Sequence, residues 1–407
     1  MDKHMTQSLM YNQPLSAPQA TNQTAKYVAE RSFSAAKYEE VLWDKLLPND
    51  AESYRYHLAF EIAKVEGFKT GYVAVKRGGV VICIAPYFVT DYRLDTTVQG
   101  GLKRFLNKIT HYAPKLLSIK MVCVGSPVTD SCKIGLAKDY PFDAAMLKAL
   151  CNELEQVAKR EKASVIAFKD VIEHDAQLFS VTLNAAGYGK VANMPVATNL
   201  MEFTHIDEYF ATLSYTTRKN LRRKLKAKAN IHIEEYDGLP PHIEAIYQLY
   251  LNTYEQSELK FEKLTLTFFE SIAGLMPNHC RFVLYYAENQ LIAFNLLLHR
   301  DGILVDKYIG LDKTLAKKYN IYYLSWLHNV EMCIRDGFHT YKSGQAAYAT
   351  KIRLGATLAQ TYIFFKHCNP LWNKPLKLLS RALAYANFDD ALKDIEQDKK
   401  QHKSNNQ

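Results

Sequence analysis

Gly302-Ile-Leu-Val-Asp-Lys-Tyr-Ile-Gly310 reads as a strand in which Asp306 and Lys307 interrupt an apolar run. A helix is expected from about Leu315 to Arg335. A short strand, His339-Thr-Tyr341, then opens into Lys342-Ser-Gly-Gln345, and a last helix, Ala346 to Leu354, carries Tyr348, Lys351 and Arg353 up to Gly355. Strand, helix, strand, helix in succession belongs to an α/β architecture. A charge in the middle of an apolar strand needs a partner or a cleft, so this stretch is where function is expected.

Working outward, Arg281–Ala287, Gln290–Leu298 and Ile303–Gly310 form a three-strand meander with turns at Glu288-Asn289 and Arg300-Asp-Gly302. Two helices precede it. Pro241–Tyr254 places Ile243, Ile246, Tyr247, Tyr250 and Tyr254 on one stripe, and Thr265–Met276 does the same with Phe268, Phe269, Ile272 and Met276. The first half has a similar plan: helices at Ala36–Leu47 and Ser53–Glu66, strands at Thr70–Val75 and Val80–Val89, then a helix near Leu102–Tyr112. Strand Ser118–Gly125, helix Asp143–Lys162, strand Ser164–Phe168, helix Asp175–Ala186 and a strand within Ala192–Phe203 complete it. The chain is therefore expected to hold two successive mixed α/β modules, residues 27–203 and 204–386, with a seam near 203–214. The amide-rich lead-in 1–26 and the charged tail 387–407 are expected to be disordered.

The 407 residues exceed a usual single core, and 48% hydrophobic with 23% charged residues is ordinary globular composition. Seven cysteines, with no Cys-x-x-Cys pair, fit reduced core thiols and argue against a zinc cluster or a disulfide framework. The N-terminus lacks an apolar signal region, and the longest apolar run, Val80–Val89, is too short to span a bilayer. A cytoplasmic protein without a transmembrane segment is expected. Net charge is +9, and the excess is concentrated. Ser214-Tyr-Thr-Thr-Arg-Lys-Asn-Leu-Arg-Arg-Lys-Leu-Lys-Ala-Lys228 reads as a basic helix over 214–229, with Ser214 as its N-cap and seven basic residues in the eleven from Arg218. Arg218, Lys219, Arg222, Arg223 and Lys226 share one broad face, while Leu221 and Leu225 turn away from it. Such a face suits tRNA backbone, coenzyme phosphates or anionic lipid, hence also a peripheral membrane contact. It equally suits a solvated helix docked by its two leucines.

Leu213-Ser-x-x-x-Arg218-Lys219-x-Leu221-Arg222-Arg223 and Tyr341-x-x-Gly344-x-x-x-Tyr348-x-x-Lys351-x-x-x-Gly355 resemble the FemAB-like branch of the GNAT acyltransferase superfamily. The resemblance implies two tandem GNAT-like domains and an N-acyltransferase. The expected donor is an aminoacyl-tRNA or an acyl thioester, on acyl-CoA or an acyl carrier protein. The expected acceptor is the amine of a small molecule or peptide, attacking directly with no covalent enzyme intermediate. The pattern departs from ordinary GNAT enzymes at the pyrophosphate loop. Leu311-Asp-Lys-Thr-Leu-Ala-Lys-Lys318 contains no glycine, and Gln99-Gly-Gly-Leu-Lys-Arg104 misses the spacing.

Amide formation needs a proton acceptor and donors for an oxyanion. Strand alternation places Asp306 with Leu304 and Tyr308 on one face, and Lys307 with Val305 and Ile309 on the other. Asp306 could take a proton or hold the amine, with Tyr308 beside it, while Lys307 could hold an anionic substrate group. Lys342 and Gln345 flank Gly344 where a strand opens into a helix, a place for anion or carbonyl contacts. By the family pattern, Tyr348 would act as a general acid or orienting hydroxyl and Lys351 would bind a carboxylate or phosphate. Arg218, Arg222 and Lys226 would bind the donor. Each residue also has a plain alternative as an ion-pair, packing or solvated side chain, and a protein that only binds a polyanion, membrane or acidic partner is the rival to an enzyme.

Overall fold

The computed structural model describes residues 27–93, 118–257 and 260–382. The expected lead-in 1–26, the tail 387–407, the Gln99–Arg104 segment and the helix near Leu102–Tyr112 lie outside the described residues. The first half runs β1 (Tyr27–Ser32), α1 (Glu40–Leu46), α2 (Tyr54–Ala63), β2 (Lys69–Arg77), β3 (Val80–Arg93), β4 (Ser118–Val124), β5 (Gly135–Leu136), α3 (Ala144–Glu161), β6 (Val165–Ile172), α4 (Glu173–Ala185) and β7 (Gly189–Leu200). The second half begins with α5 (Ile206–Thr212), α6 (Tyr215–Leu225), β8 (His232–Asp237), α7 (Ile243–Gln256), α8 (Leu266–Leu275), β9 (Cys280–Ala287) and β10 (Gln290–Arg300). It ends with β11 (Ile303–Leu311), α9 (Leu315–Lys318), α10 (Ile321–Asp336), β12 (Thr340–Gly344), α11 (Tyr348–Arg353), β13 (Thr357–His367) and α12 (Pro370–Ala382).

Local chemistry explains most of these elements. Asp143 caps α3 by accepting from the Ala145 amide at 2.7 Å, and Leu147, Leu150, Leu154 and Val157 are buried along its inner stripe, as their spacing predicts. Glu288-Asn289 and Asp301-Gly302 turn their hairpins with positive φ at both residues, the backbone that a two-residue turn requires. The helix expected over Leu315–Arg335 is broken instead. Asn320 adopts φ 54°, a left-handed conformation asparagine tolerates, so α9 stops after one turn and α10 restarts. The last helix is likewise shorter than Ala346–Leu354, because Ala346 and Ala347 both have positive φ. β1, β8, α5 and α12 are not anticipated by apolar periodicity. In β8, His-Ile-Glu-Glu-Tyr-Asp carries charges on both faces, which suits the edge position it occupies beside β9.

All thirteen described strands join one mixed sheet, ordered β1-β2-β3-β4-β6-β13-β7-β12-β11-β10-β9-β8, with β5 attached to β3. Each half contributes a meander, a parallel pair (β4 with β6, β11 with β12) and a final strand. Those final strands are exchanged. β13 lies between β6 and β7, and β7 lies between β13 and β12, so each half is completed by the other's last strand. Helices cover both faces. Phe168, Leu147 and Leu150 sit in a core under α3 and α4; Leu297, Leu304 and Trp326 lie under α5, α6 and α10; Phe268, Phe269 and Phe294 lie under α2, α7 and α8. Burying each such side chain contributes roughly 1.5–3 kcal/mol. The third core crosses between the halves, since Tyr56 and Phe60 of α2 pack edge-on against Phe268 of α8. Six of the seven cysteines are buried and none is disulfide-bonded, as expected for core thiols. The architecture is mixed α/β, in two halves of similar plan.

Candidate active site

The parallel strands β11 and β12 pair only over Ile303–Val305 and Thr340–Lys342. Beyond Val305 the β12 side of β11 has no strand partner among the described residues, and Gly344, at φ 72°, turns β12 away. The first half opens in the same manner: β4 and β6 pair from Met121 to Val124 with Val165 to Phe168, and Gly125 (φ 116°) then leads the chain across to the second half. Asp130 of this crossing loop and the Asp306 carbonyl both border Gly344, so the two openings face each other there.

Strict alternation fails in β11. Tyr308 pairs with Leu296 and Asp306 with Leu297, which leaves Lys307 as the extra residue of a β-bulge. Leu304 lies in the core under α10 while Val305 and Tyr308 pack in the core under α7 and α8. Tyr308 therefore does not share a face with Asp306. The bulge swings it beside Phe268, Phe269 and Tyr250.

Asp306 is half-buried and accepts three hydrogen bonds: Asn295 Nδ2 to Oδ1 at 3.0 Å, and Asn329 Nδ2 and Tyr341 Oη to Oδ2, each at 3.1 Å. Burial pushes its carboxyl up, against the pull of Asn295 and Tyr341. A carboxylate has about four acceptor positions, so one on Oδ1 remains for a ligand. Lys307 has partners. Its Nζ lies 2.6 Å from Glu52 Oε1 and 2.9 Å from the Val128 carbonyl, with Asp130 at 3.6 Å. Burial would lower this ammonium, but Asp130 and Glu52 hold it above its ordinary value. Glu52 also meets Lys133 at 3.5 Å, and Lys133 meets Asp50 at 2.7 Å. Lys307 thus ties the crossing loop and the segment entering α2 to β11, with its charge already compensated.

Lys351 lies on α11 at the mouth of the opening and is 6% exposed. Its Nζ donates to the carbonyls of Ser343 and Gln345, the latter at 3.1 Å, leaving one of three N–H groups. Burial pulls this ammonium down to about 8, with Asp306 and Asp130 opposing. Tyr348, one turn earlier, is buried and donates to the Pro195 carbonyl at 2.8 Å, which anchors α11 to β7. The far end of α11 is held by Tyr209 Oη, which donates to the Leu354 carbonyl at 2.9 Å and accepts from Trp326 Nε1 at 2.9 Å. Gln345 donates to Asp170 Oδ1 at 3.2 Å and to the Met194 carbonyl at 3.0 Å, reaching the first half. Asp170 is also bound by Lys169 and Asn193. Lys342 is half-buried, and burial together with Lys133 lowers its ammonium.

Sequence reasoning missed Glu262. It lies in the loop before α8, where Phe-Glu-Lys offers no periodicity to single it out. Burial raises its carboxyl to about 7, against Lys169 and Lys307, while Asp130 adds to the rise. Tyr308 Oη lies 3.5 Å from Glu262 Oε1. Asp130 acts on Glu262, whose carboxyl is poised near neutrality, and on Lys351, whose ammonium is depressed. Glu52, Asp130, Lys169 and Asp170 were also missed, because first-half residues, two in loops and two on β6, show no spacing that links them to β11.

The basic helix sits beside this cleft rather than in it. Leu221 is buried and Leu225 packs partly under α10, as the helical wheel predicts. Arg218 donates to the Leu213 carbonyl, Arg222 lies over the Phe210 ring at 5.8 Å, and Lys226 is exposed just past the helix. A shallow groove lined by Thr216, Asn220, Tyr323, Thr350 and Arg353 separates the helix from α11. In Leu311–Lys318 the amides of Thr314 and Leu315 bond to Asp312 Oδ1 at 2.9 and 2.7 Å. The start of α9 is thus occupied by the chain's own carboxylate.

Comparison with solved structures finds the fold again. FemX gives a TM-score of 0.55 at 14% identity, covering 86% of this chain and 99% of that one. A tandem GNAT protein from the clavulanic acid biosynthesis pathway, solved without acetyl-CoA, gives 0.51 at 10% identity, covering 85% and 99%. A search of curated proteins by sequence finds no match. The FemAB-like family model, described as peptidoglycan biosynthesis/recognition, matches residues 34–379, which take in both halves, the cleft and the exchanged strands, and the chain belongs to that family.

Proposed function

We propose that the protein is an acyl- or aminoacyltransferase that forms an amide in the cleft between its halves. The observation that carries this reading is the parting of β11 and β12 at Asp306, with Lys351 at its mouth. An acyl group laid along the unpartnered side of β11 would meet backbone donors, and the remaining N–H of Lys351 would stabilise the oxyanion as the amine adds. The free acceptor position of Asp306 orients the amine. Glu262 takes its proton, directly or through Tyr308, which suits a carboxyl poised near the working pH. The C–N bond forms, the donor's C–O or C–S bond breaks, and the leaving oxygen or sulfur departs with the proton that Glu262 took from the amine. Tyr348 positions Lys351, Gln345 joins the two walls, and Lys307 holds the crossing loop in place.

For the donor, the occupied start of α9 disfavours a coenzyme pyrophosphate, and the adjoining basic face of Arg222 and Lys226 favours the phosphates of an aminoacyl-tRNA. The family description favours the amine of a peptidoglycan precursor peptide as acceptor. Charged tRNA and acyl thioesters, each with an amine-bearing muropeptide precursor, are assayed for product by mass spectrometry. Product from charged tRNA is expected, reduced at least about tenfold in Arg222→Glu/Lys226→Glu, with a shallower salt dependence of binding. Turnover from thioesters alone would overturn the tRNA assignment, and no amide from any donor would overturn the enzyme.

A further inference from the structure

We propose that α12 is an interfacial anchor that lays the protein on an anionic phospholipid surface, a role that does not depend on the transferase reading. Leu371, Trp372 and Leu378 are 82%, 62% and 73% exposed, and the three cluster on one short helix that is otherwise fixed. Its attachment is well defined. Asn369 Oδ1 caps the Leu371 amide at 2.9 Å, Asn373 bridges the Gly187 carbonyl and the His367 amide at 2.8 and 3.1 Å, and Leu376 packs under the sheet beside Phe88 and Phe365. At 100° per residue, Leu371 and Leu378 fall on one stripe with Trp372 at its flank, opposite the side held by the sheet. The apolar face therefore points outward.

Charge and composition specify what would cover it. The helix sequence Pro-Leu-Trp-Asn-Lys-Pro-Leu-Lys-Leu-Leu-Ser-Arg-Ala contains three basic residues and no acidic one, and Lys374 is exposed beside the Leu378 stripe. Leucine and tryptophan with flanking lysine is the composition of a helix lying in the headgroup layer, where the indole straddles the boundary and the ammonium meets phosphate. No described helix is long and apolar enough to cross a membrane. At about 20 Å, α12 can lie flat in the surface without crossing it.

The sequence supplies its own probe. It has three tryptophans; Trp43 and Trp326 are buried, so Trp372 is the one that lipid would reach. The full chain is mixed with vesicles of phosphatidylcholine alone or with added phosphatidylglycerol, and followed by co-sedimentation and tryptophan emission. Binding to phosphatidylglycerol vesicles, weakened by salt, with a blue shift is expected. Leu371→Glu/Leu378→Glu should lower the apparent affinity at least about tenfold. Trp372→Phe should sediment like the parent while losing the blue shift. Absence of sedimentation, or equal sedimentation of the double variant, would overturn the anchor. So would light scattering showing a dimer that the double variant dissolves while no lipid binds.

Discussion

A carboxyl near 7 and an ammonium near 8 each change state within the working range of a neutral-pH enzyme, and the two changes act in opposite directions. Glu262 must be ionised to accept a proton, so kcat/KM is expected to rise as pH passes upward through about 7. Lys351 must keep its proton to stabilise an oxyanion, so the same parameter is expected to fall as pH passes about 8. A narrow bell follows, and Glu262→Gln should remove its acid limb. Lys351→Met should lower kcat about 100-fold with the fold retained by circular dichroism. A broad, flat profile between pH 6 and 9 would contradict both assignments. Legibility at this scale is uneven. Lys351 and Tyr348 share a helix face in a motif quotable from the chain, whereas Glu262 owes its shifted carboxyl to groups drawn from residues 130, 169 and 307, whose proximity exists only after the halves meet.

The bulge in β11 shows why element identity was readable but side-chain direction was not. The apolar run Ile303–Gly310 suffices to specify a strand, and its turns at Glu288-Asn289 and Asp301-Gly302 follow from residues that tolerate positive φ. One unpaired residue at Lys307 then reverses the facing of Tyr308, and single-strand periodicity carries no trace of it. The ammonium so displaced is stabilised by Glu52 and the Val128 carbonyl. Lys307→Met should leave Glu52 buried without that partner and cost about 3–5 kcal/mol, read as a lowered urea midpoint. Adding Glu52→Gln should recover part of the loss. If the single variant unfolds at the parent midpoint, Lys307 is not what joins the crossing loop to β11.

For the molecule as a whole, two helices followed by antiparallel strands were legible in both halves, because each half repeats its own hydrophobic pattern. The exchange of last strands was not, since β7 and β13 have the same apolar character whichever half they pair with. Removing residues 357–407 should therefore damage the first half as well as the second, giving insoluble protein, and residues 27–203 expressed alone should not fold as a stable fragment. Recovery of that fragment as a cooperatively folded monomer would contradict this. The exchange also sets a schedule for synthesis. As the chain leaves the ribosome from its N-terminus, β6 is made long before β13, so its open edge waits through the translation of nearly two hundred residues with a ladder of unpaired amides. Chaperone demand during that interval is thus built into the topology, and should fall if the chain were circularly permuted so that β13 is made first.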